Sequence, residues 1–313
     1  MEPRPIPSAA LAFEGGLTRL VPLAHGADPV LTMAALWLGP ADPQTRFEPG
    51  AISRASWFRS GPATLRIQLA ADHVRARAWG PGATDALDAV PALIGERDDP
   101  TPLVPRHRIV AETARRLPGL RLTSGAPLFE TLLVSILGQK ITSLEQRRSF
   151  AALVRRLGRR APGPLGLMLP PPPETVAKTP YWVFHPLGVE RRRADTIRAA
   201  AAEAASLERI ATLTTAERLA ALRSLPGIGP WTAAEAIRLS FGDADAVSVG
   251  DYHLPTLVCH ALAGEANRTD ERMLELLAPY EGQRARVVLL IENAGLRFER
   301  RAPRMAARSI AAI

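Results

Sequence analysis

Pro226-Gly227-Ile228-Gly229-Pro230 lies between two helical stretches, and it constrains the fold more than any other segment of this chain. Thr214 and Glu217 have capping-box spacing, and Leu219, Leu222 and Leu225 share one face, so one helix runs to Leu225. The two glycines can adopt φ > 0 and turn the chain tightly. Pro230 then suits the first turn of a second helix, Trp231 to Phe241. A hairpin of this kind presents unpaired main-chain N–H groups beside a helix N-terminus, where a phosphate oxygen can sit without its sequence being read. Taken alone, the four residues Pro226 to Gly229 fit an ordinary interhelical turn better, because Pro-Gly and Gly-x-Gly are common punctuation.

The chain has 313 residues, enough for about two domains with buried cores, and its 47% hydrophobic and 22% charged composition is that of a globular protein. No apolar run reaches the length of a membrane span. Glu2, Arg4 and the prolines near the start break up the apolar core that a signal peptide needs, so a cytoplasmic location is expected. The single cysteine, Cys259, excludes an intrachain disulfide, a cysteine zinc site and a four-cysteine iron–sulfur cluster. A net charge of +8 points to a polyanionic partner, with nucleic acid first, although a coding bias towards Arg, Ala and Pro explains it equally well.

The expected fold class is α+β: a small antiparallel β-sheet domain over residues 1–98, an all-α domain over 105–298 and a basic tail over 299–313 with Arg300, Arg301, Arg304 and Arg308. Thr64 to Leu69 and His73 to Trp79 alternate as strands and pair as a hairpin across Ala70 to Asp72, with a helix from Thr84 to Ile94. Arg66, Arg75 and Arg77 fit a solvated sheet face better than a DNA contact. Helical spacing then covers His107 to Leu117, Phe129 to Leu157, a short helix at Glu174 after Pro170 to Pro173, Arg191 to Leu207, and the hairpin at 214–241.

The string LPGIGPWTA, followed by GDY with Asp251 twenty positions after Trp231, resembles the helix-hairpin-helix DNA glycosylase superfamily, and within it the alkylated-base branch of 3-methyladenine DNA glycosylase II type. PLFETLLVSILGQKITSLEQRRSF (Pro127 to Phe150) is similar to the family's first core helix with its Gly-Gln turn, and LGVERRRADTIRAAA (Leu187 to Ala201) to a later helix start. The resemblance covers roughly Pro105 to Leu296.

The resemblance implies a base-flipping enzyme of base-excision repair that hydrolyses the N-glycosidic bond of alkylated purines such as 3-methyladenine and 7-methylguanine. Its partner is then double-stranded DNA containing alkylated bases, bound by a monomer. Asp251 is the implied catalytic carboxylate, a group suited to the positive charge that builds on the sugar as the bond breaks. Asp243 and Asp245 read as turn formers, and His253 as a helix or core histidine rather than a helper. Lyase relatives carry a Schiff-base lysine where this chain has Trp231, so no lyase activity is expected. The chain holds only two lysines, Lys140 and Lys178.

The implied DNA contacts are Gln139, Lys140, Gly227, Ile228, Gly229, Pro230 and Thr232, with Lys140 standing at the wedge position. The implied base pocket is Trp231, Tyr252, Glu235, Glu292 and Trp182, with Tyr181 beside it; core positions suit Trp182 and Tyr181 better. Glu235 and Glu292 stand where relatives have aromatic residues, and either attract a cationic base by charge or lie on a helix surface. The hairpin carbonyls near Arg223, Leu225 and Ile228 offer a seat for Na+ or K+, and no organic cofactor is required. Two other readings remain open: a non-catalytic helix-hairpin-helix module that binds DNA or senses damage, and a glycosylase for deaminated or mismatched bases.

Overall fold

A computed structural model describes residues 15–266 and 269–296; the basic tail at 299–313 lies outside the described residues. The N-terminal part holds β1 (Leu17–Pro22), α1 (Pro29–Met33), β2 (Thr45–Glu48), β3 (Ala51–Phe58), β4 (Gly61–Leu69), β5 (His73–Trp79) and α2 (Ala83–Leu93). The five strands form one antiparallel sheet in the order β1-β5-β4-β3-β2. The expected hairpin is present, with Leu69 opposite Val74. On β5, Val74, Ala76 and Ala78 are buried, Arg75 is exposed, and Arg66 of β4 pairs with Glu48 at 2.6 Å. Alternation fixes which face is wet.

Helix α2 lays Ala83, Ala86, Leu87 and Val90 against Ile52, Ile67 and Val74 of the sheet. β3 shows no alternation, because both its faces are covered. Its other face meets a two-stranded ribbon, β6 (Arg159–Arg160) and β7 (Met168–Leu169), with Leu167 and Leu169 packed on Ala55. The C-terminal part is therefore not all-α as expected. Gly163 and Gly166 take positive φ and reverse the chain between the two short strands, so the apolar residues of β7 reach the sheet.

The helical body continues with α3 (Arg108–Arg116), α4 (Leu128–Leu137) and α5 (Ser143–Leu157), then α6 (Pro173–Lys178), α7 (Tyr181–Phe184), α8 (Arg191–Ala202) and α9 (Ala204–Leu207). It ends with α10 (Thr215–Arg223), α11 (Pro230–Phe241), α12 (Leu254–Ala263), α13 (Asp270–Leu277) and α14 (Arg284–Glu292). The stretch read as helical from Phe129 to Leu157 is two helices, split where α4 ends at Gly138 and Thr142 starts α5 with a capping box to Glu145. The stretch from Arg191 to Leu207 is also broken, at Glu203.

Helix α11 is the central element: Ala233, Ala234, Ala236 and Ile237 are buried against α4 residues such as Leu133 and Ile136. Small residues let the two backbones approach closely. A separate core joins α3 to α12, α13 and α14 through Val110, Val258, Met273, Leu277 and Ile291. Sheet and helices share interior, since Leu239 of α11 belongs to the sheet core and Glu130 of α4 is buried among sheet residues. The Glu130 carboxylate accepts from Gln44 (2.6 Å), Trp57 N–H (2.8 Å), Ser56 (3.0 Å) and Arg54 (3.1 Å). Burial pushes the Glu130 carboxyl above its usual range, against the pull of Arg54.

Candidate active site

Thr214 and Glu217 close the capping box that starts α10. The chain then turns through Gly227 at φ +82°, where a Cβ would come within 2.0 Å of Thr196 Oγ1 on α8. Only glycine fits there. Ile228 is buried and plugs the hairpin into the helical core, whereas a Cβ on Gly229 would meet open space. Gly229 caps α11, and Pro230 occupies its first turn. The hairpin is thus braced from behind and open in front, where the free N–H groups of the first turn of α11 lie.

The turn after α4 is tied to this hairpin. Gln139 Nε2 donates to the Gly227 carbonyl at 3.0 Å and to Thr232 Oγ1 at 2.9 Å, while Arg193 donates to the Leu137 carbonyl at 3.0 Å. Gly138 is glycine because a Cβ would lie 2.7 Å from Gln146 Nε2 and 3.2 Å from the six-membered ring of Trp231. Lys140 follows at φ +56°, the one non-glycine residue with positive φ among the described residues, and is exposed. A left-handed lysine costs about 1–2 kcal/mol. Gln139 and the buried Thr232 therefore spend their side chains on each other.

Asp251 sits at the opening of α12. Its Oδ1 accepts the main-chain N–H groups of His253 (2.7 Å) and Leu254 (2.8 Å), and its Oδ2 accepts Trp231 Nε1 at 3.0 Å. These three bonds orient the carboxylate and fill Oδ1, leaving Oδ2 one further lone pair. Asp251 lines a small cleft of about 30 Å³ with Glu235, Arg238, Ser248, Leu254 and Glu292. Arg238 pairs with Glu235 at 2.9 Å, and the Ser248 hydroxyl donates to the other Glu235 oxygen. Burial pushes the Glu292 carboxyl up to about 7; Arg238 opposes the rise, while Glu235 and Asp251 add to it. Glu292 reaches solvent at the mouth of the cleft while protein surrounds its carboxyl group on most sides, so solvent there tempers the effect.

The cleft thus gathers Asp251, Glu235 and Glu292, with Trp231 in contact through its indole N–H. Tyr252 stands beside it, 79% exposed and edge-on to the His253 ring at 4.9 Å. Trp182 is 74% exposed on α7 and does not line the cleft, so the core position read for it does not hold. Tyr181 packs on the helical core and shares a hydrogen bond with His185 at 2.9 Å. Asp243 and Asp245 are turn and ion-pair residues: Asp243 accepts from Asp245 N–H at 2.9 Å, and Asp245 accepts from Arg284 at 2.8 Å. Sequence reading missed Arg238 and Ser248. The i,i+3 spacing of Glu235 and Arg238 was the available signal for the first, and nothing marked the second. A larger, open hollow of about 500 Å³ lies among α8, α9 and α10, lined by Glu203, Ser206, Arg209 and Ser224 together with apolar residues.

No protein-family profile matches the chain, and no curated protein does. Solved structures do. The 3-methyladenine DNA glycosylase from Archaeoglobus fulgidus superposes with a TM-score of 0.73 at 20% identity, over 87% of this chain and 96% of that one. The fold is that of the helix-hairpin-helix DNA glycosylases. Two other solved structures share this glycosylase fold. MBOgg1 in complex with a low-affinity DNA ligand has a TM-score of 0.72 at 17% identity, covering 90% of this chain and 96% of its own. The Clostridium acetobutylicum 8-oxoguanine glycosylase/lyase with double-stranded DNA has 0.69 at 12%, covering 89% and 96%. The neighbours thus span alkylated-base and oxidised-base glycosylases, one of them also a lyase.

Proposed function

We propose that this protein is a monofunctional DNA glycosylase that hydrolyses the N-glycosidic bond of alkylated purines, 3-methyladenine and 7-methylguanine among them, acting as a monomer on duplex DNA in base-excision repair. The observation that carries the reading is the Asp251 carboxylate, oriented by the indole N–H of Trp231 beside the phosphate-facing hairpin. A DNA-binding module without chemistry has no use for a half-buried carboxylate so close to DNA phosphates.

The hairpin N–H groups of Gly229, Trp231 and Thr232 hold a backbone phosphate, and Lys140 fills the gap left by the flipped nucleotide. Asp251 faces the sugar and stabilises the cationic transition state more than the neutral ground state. It also orients or deprotonates the attacking water. A cationic alkylpurine is already a good leaving group, so no general acid is required. Glu235 and Glu292 attract that cation by charge, and Trp231 and Tyr252 offer it π faces. Trp231 supplies no amine, which supports hydrolysis without strand cleavage. For a monovalent cation at the carbonyls of Arg223, Leu225 and Ile228, the Leu225 carbonyl accepts Ile228 N–H at 3.2 Å and keeps a second lone pair. The neutral oxygen donors fit Na+ or K+, which would add positive charge behind the phosphate.

The test is release of free purine from methylated duplex DNA by wild type and Asp251→Asn, with borohydride trapping alongside. Release that depends on Asp251 without a trapped adduct is the expected result. A trapped adduct would overturn the monofunctional reading, and tight binding with no release would return the protein to the DNA-binding modules.

A further inference from the structure

The floor of the Asp251 cleft has a chemistry that the proposed reaction does not by itself require. Its volume, about 30 Å³, matches one water molecule and is far too small for a purine. The ring of a flipped base must therefore stay at the mouth, and only one small substituent can enter. Three carboxyl groups, those of Asp251, Glu235 and Glu292, line that space beside Arg238 and Ser248. Glu235 is held on two sides, by Arg238 at 2.9 Å and by the Ser248 hydroxyl, while α11 anchors both Glu235 and Arg238 on one rigid element. A carboxylate fixed in this way is an acceptor that cannot turn into a donor. An N–H donor placed against Glu235 finds a fixed acceptor; a carbonyl oxygen placed there meets its lone pairs, the Arg238 and Ser248 donors being turned onto the same carboxylate.

We infer that the Glu235–Arg238–Ser248 cluster is a reader for an exocyclic amino group on the flipped base, with Glu235 the specificity-determining acceptor and Arg238 and Ser248 its positioning residues. The substrate class is then amino-bearing alkylated bases, and deaminated counterparts are rejected. The inference rests on the proposed glycosylase function and deepens it. Discrimination of this kind is strong, because the wrong base leaves buried polar groups unpaired.

The experiment compares excision of 7-methylguanine with that of 7-methylhypoxanthine, each placed in the same duplex opposite cytosine. Both bases are cationic and differ only in the 2-amino group, so charge and leaving ability are matched. The expected result is kcat/KM at least about tenfold higher for 7-methylguanine in wild type. Glu235→Leu should bring the kcat/KM ratio of the two bases to about one, as release of both falls with the loss of a carboxylate from the cleft. Arg238→Met should reduce the preference, and Arg238→Lys should restore part of it. Equal release of both bases by wild type overturns the reader and leaves the proposed function standing. Failure to release either base overturns both.

Discussion

The indole N–H of Trp231 donates to Asp251 Oδ2 at 3.0 Å, joining the first turn of α11 to the opening of α12. One residue thus ties the hairpin to the Asp251 carboxylate. Hydrogen bonds to a charged group contribute about 1.5–3 kcal/mol. Trp231→Phe, which keeps the ring and removes the donor, should lower kcat about tenfold or more with little change in DNA affinity. Single-turnover excision together with a binding titration would check it; loss of affinity with unchanged kcat would show that the bond does not orient Asp251.

Asp251→Asn should reduce excision by a factor on the order of a thousand, comparable with removing a preorganised transition-state stabiliser elsewhere. DNA binding should hold or tighten, since a negative group near phosphates is removed. Unaltered excision would end the assignment of Asp251.

The carboxyl of Glu292 titrates near 7, against an ordinary value of 4.5, through burial and the negative charges of Glu235 and Asp251. Below that pH it is neutral, and above it is an anion at the cleft mouth. Excision of a cationic base should therefore rise as pH passes upward through about 7, and Glu292→Gln should flatten the profile. Stability moves the other way. The folded state holds this proton more tightly than the unfolded chain, so stability is lost as pH rises from about 4.5 to 7. Glu292→Gln should be the more stable protein above pH 7, by thermal unfolding at matched ionic strength. If Glu235→Gln and Glu292→Gln both leave 3-methyladenine and 7-methylguanine release unchanged, the carboxylates do not attract the base.

Glu130 and Arg54 are a buried pair between α4 and the sheet, 3.1 Å apart. Glu130→Ala strands Arg54 without its charge partner and should cost about 3–5 kcal/mol, read as a lowered denaturation midpoint. Glu130→Gln should cost less, because Trp57 N–H and Ser56 keep an acceptor. Equal losses in the two variants would mean that the charge paired with Arg54, and not the retained acceptor, holds the sheet to the helices.

Lys140 takes a left-handed conformation that glycine adopts freely. Lys140→Gly should raise stability by about 0.5–1 kcal/mol, the relief of strain less the entropy of the added glycine. It should also weaken DNA binding and lower the slope of log affinity against log salt by about 0.9, the signature of one lost phosphate contact. An unchanged slope would remove Lys140 from the DNA interface.

Local chemistry was legible where it is dictated by neighbours in the chain. The alternation of β4 and β5, the capping box at Thr214 and the hairpin from Pro226 to Pro230 all depend on residues within a few positions of one another. The ribbon β6–β7 was not legible, because two-residue strands carry no period and exist only where Leu167 and Leu169 find Ala55. Arg238 and Ser248 were missed for a related reason: an i,i+3 ion pair on a helix is ordinary until a hydroxyl thirteen residues from its carboxylate is folded onto it.

The sequence by itself determined the helix-hairpin-helix, since capping, glycine freedom and proline placement act along the backbone. Only the tertiary structure decided what surrounds them. Trp182 was put on the surface, Gln139 and Thr232 were turned inward on each other, and Glu235, Arg238 and Glu292 were gathered around one small cleft. Those outcomes follow from which helices pack together, and packing depends on the summed burial of residues far apart in the chain.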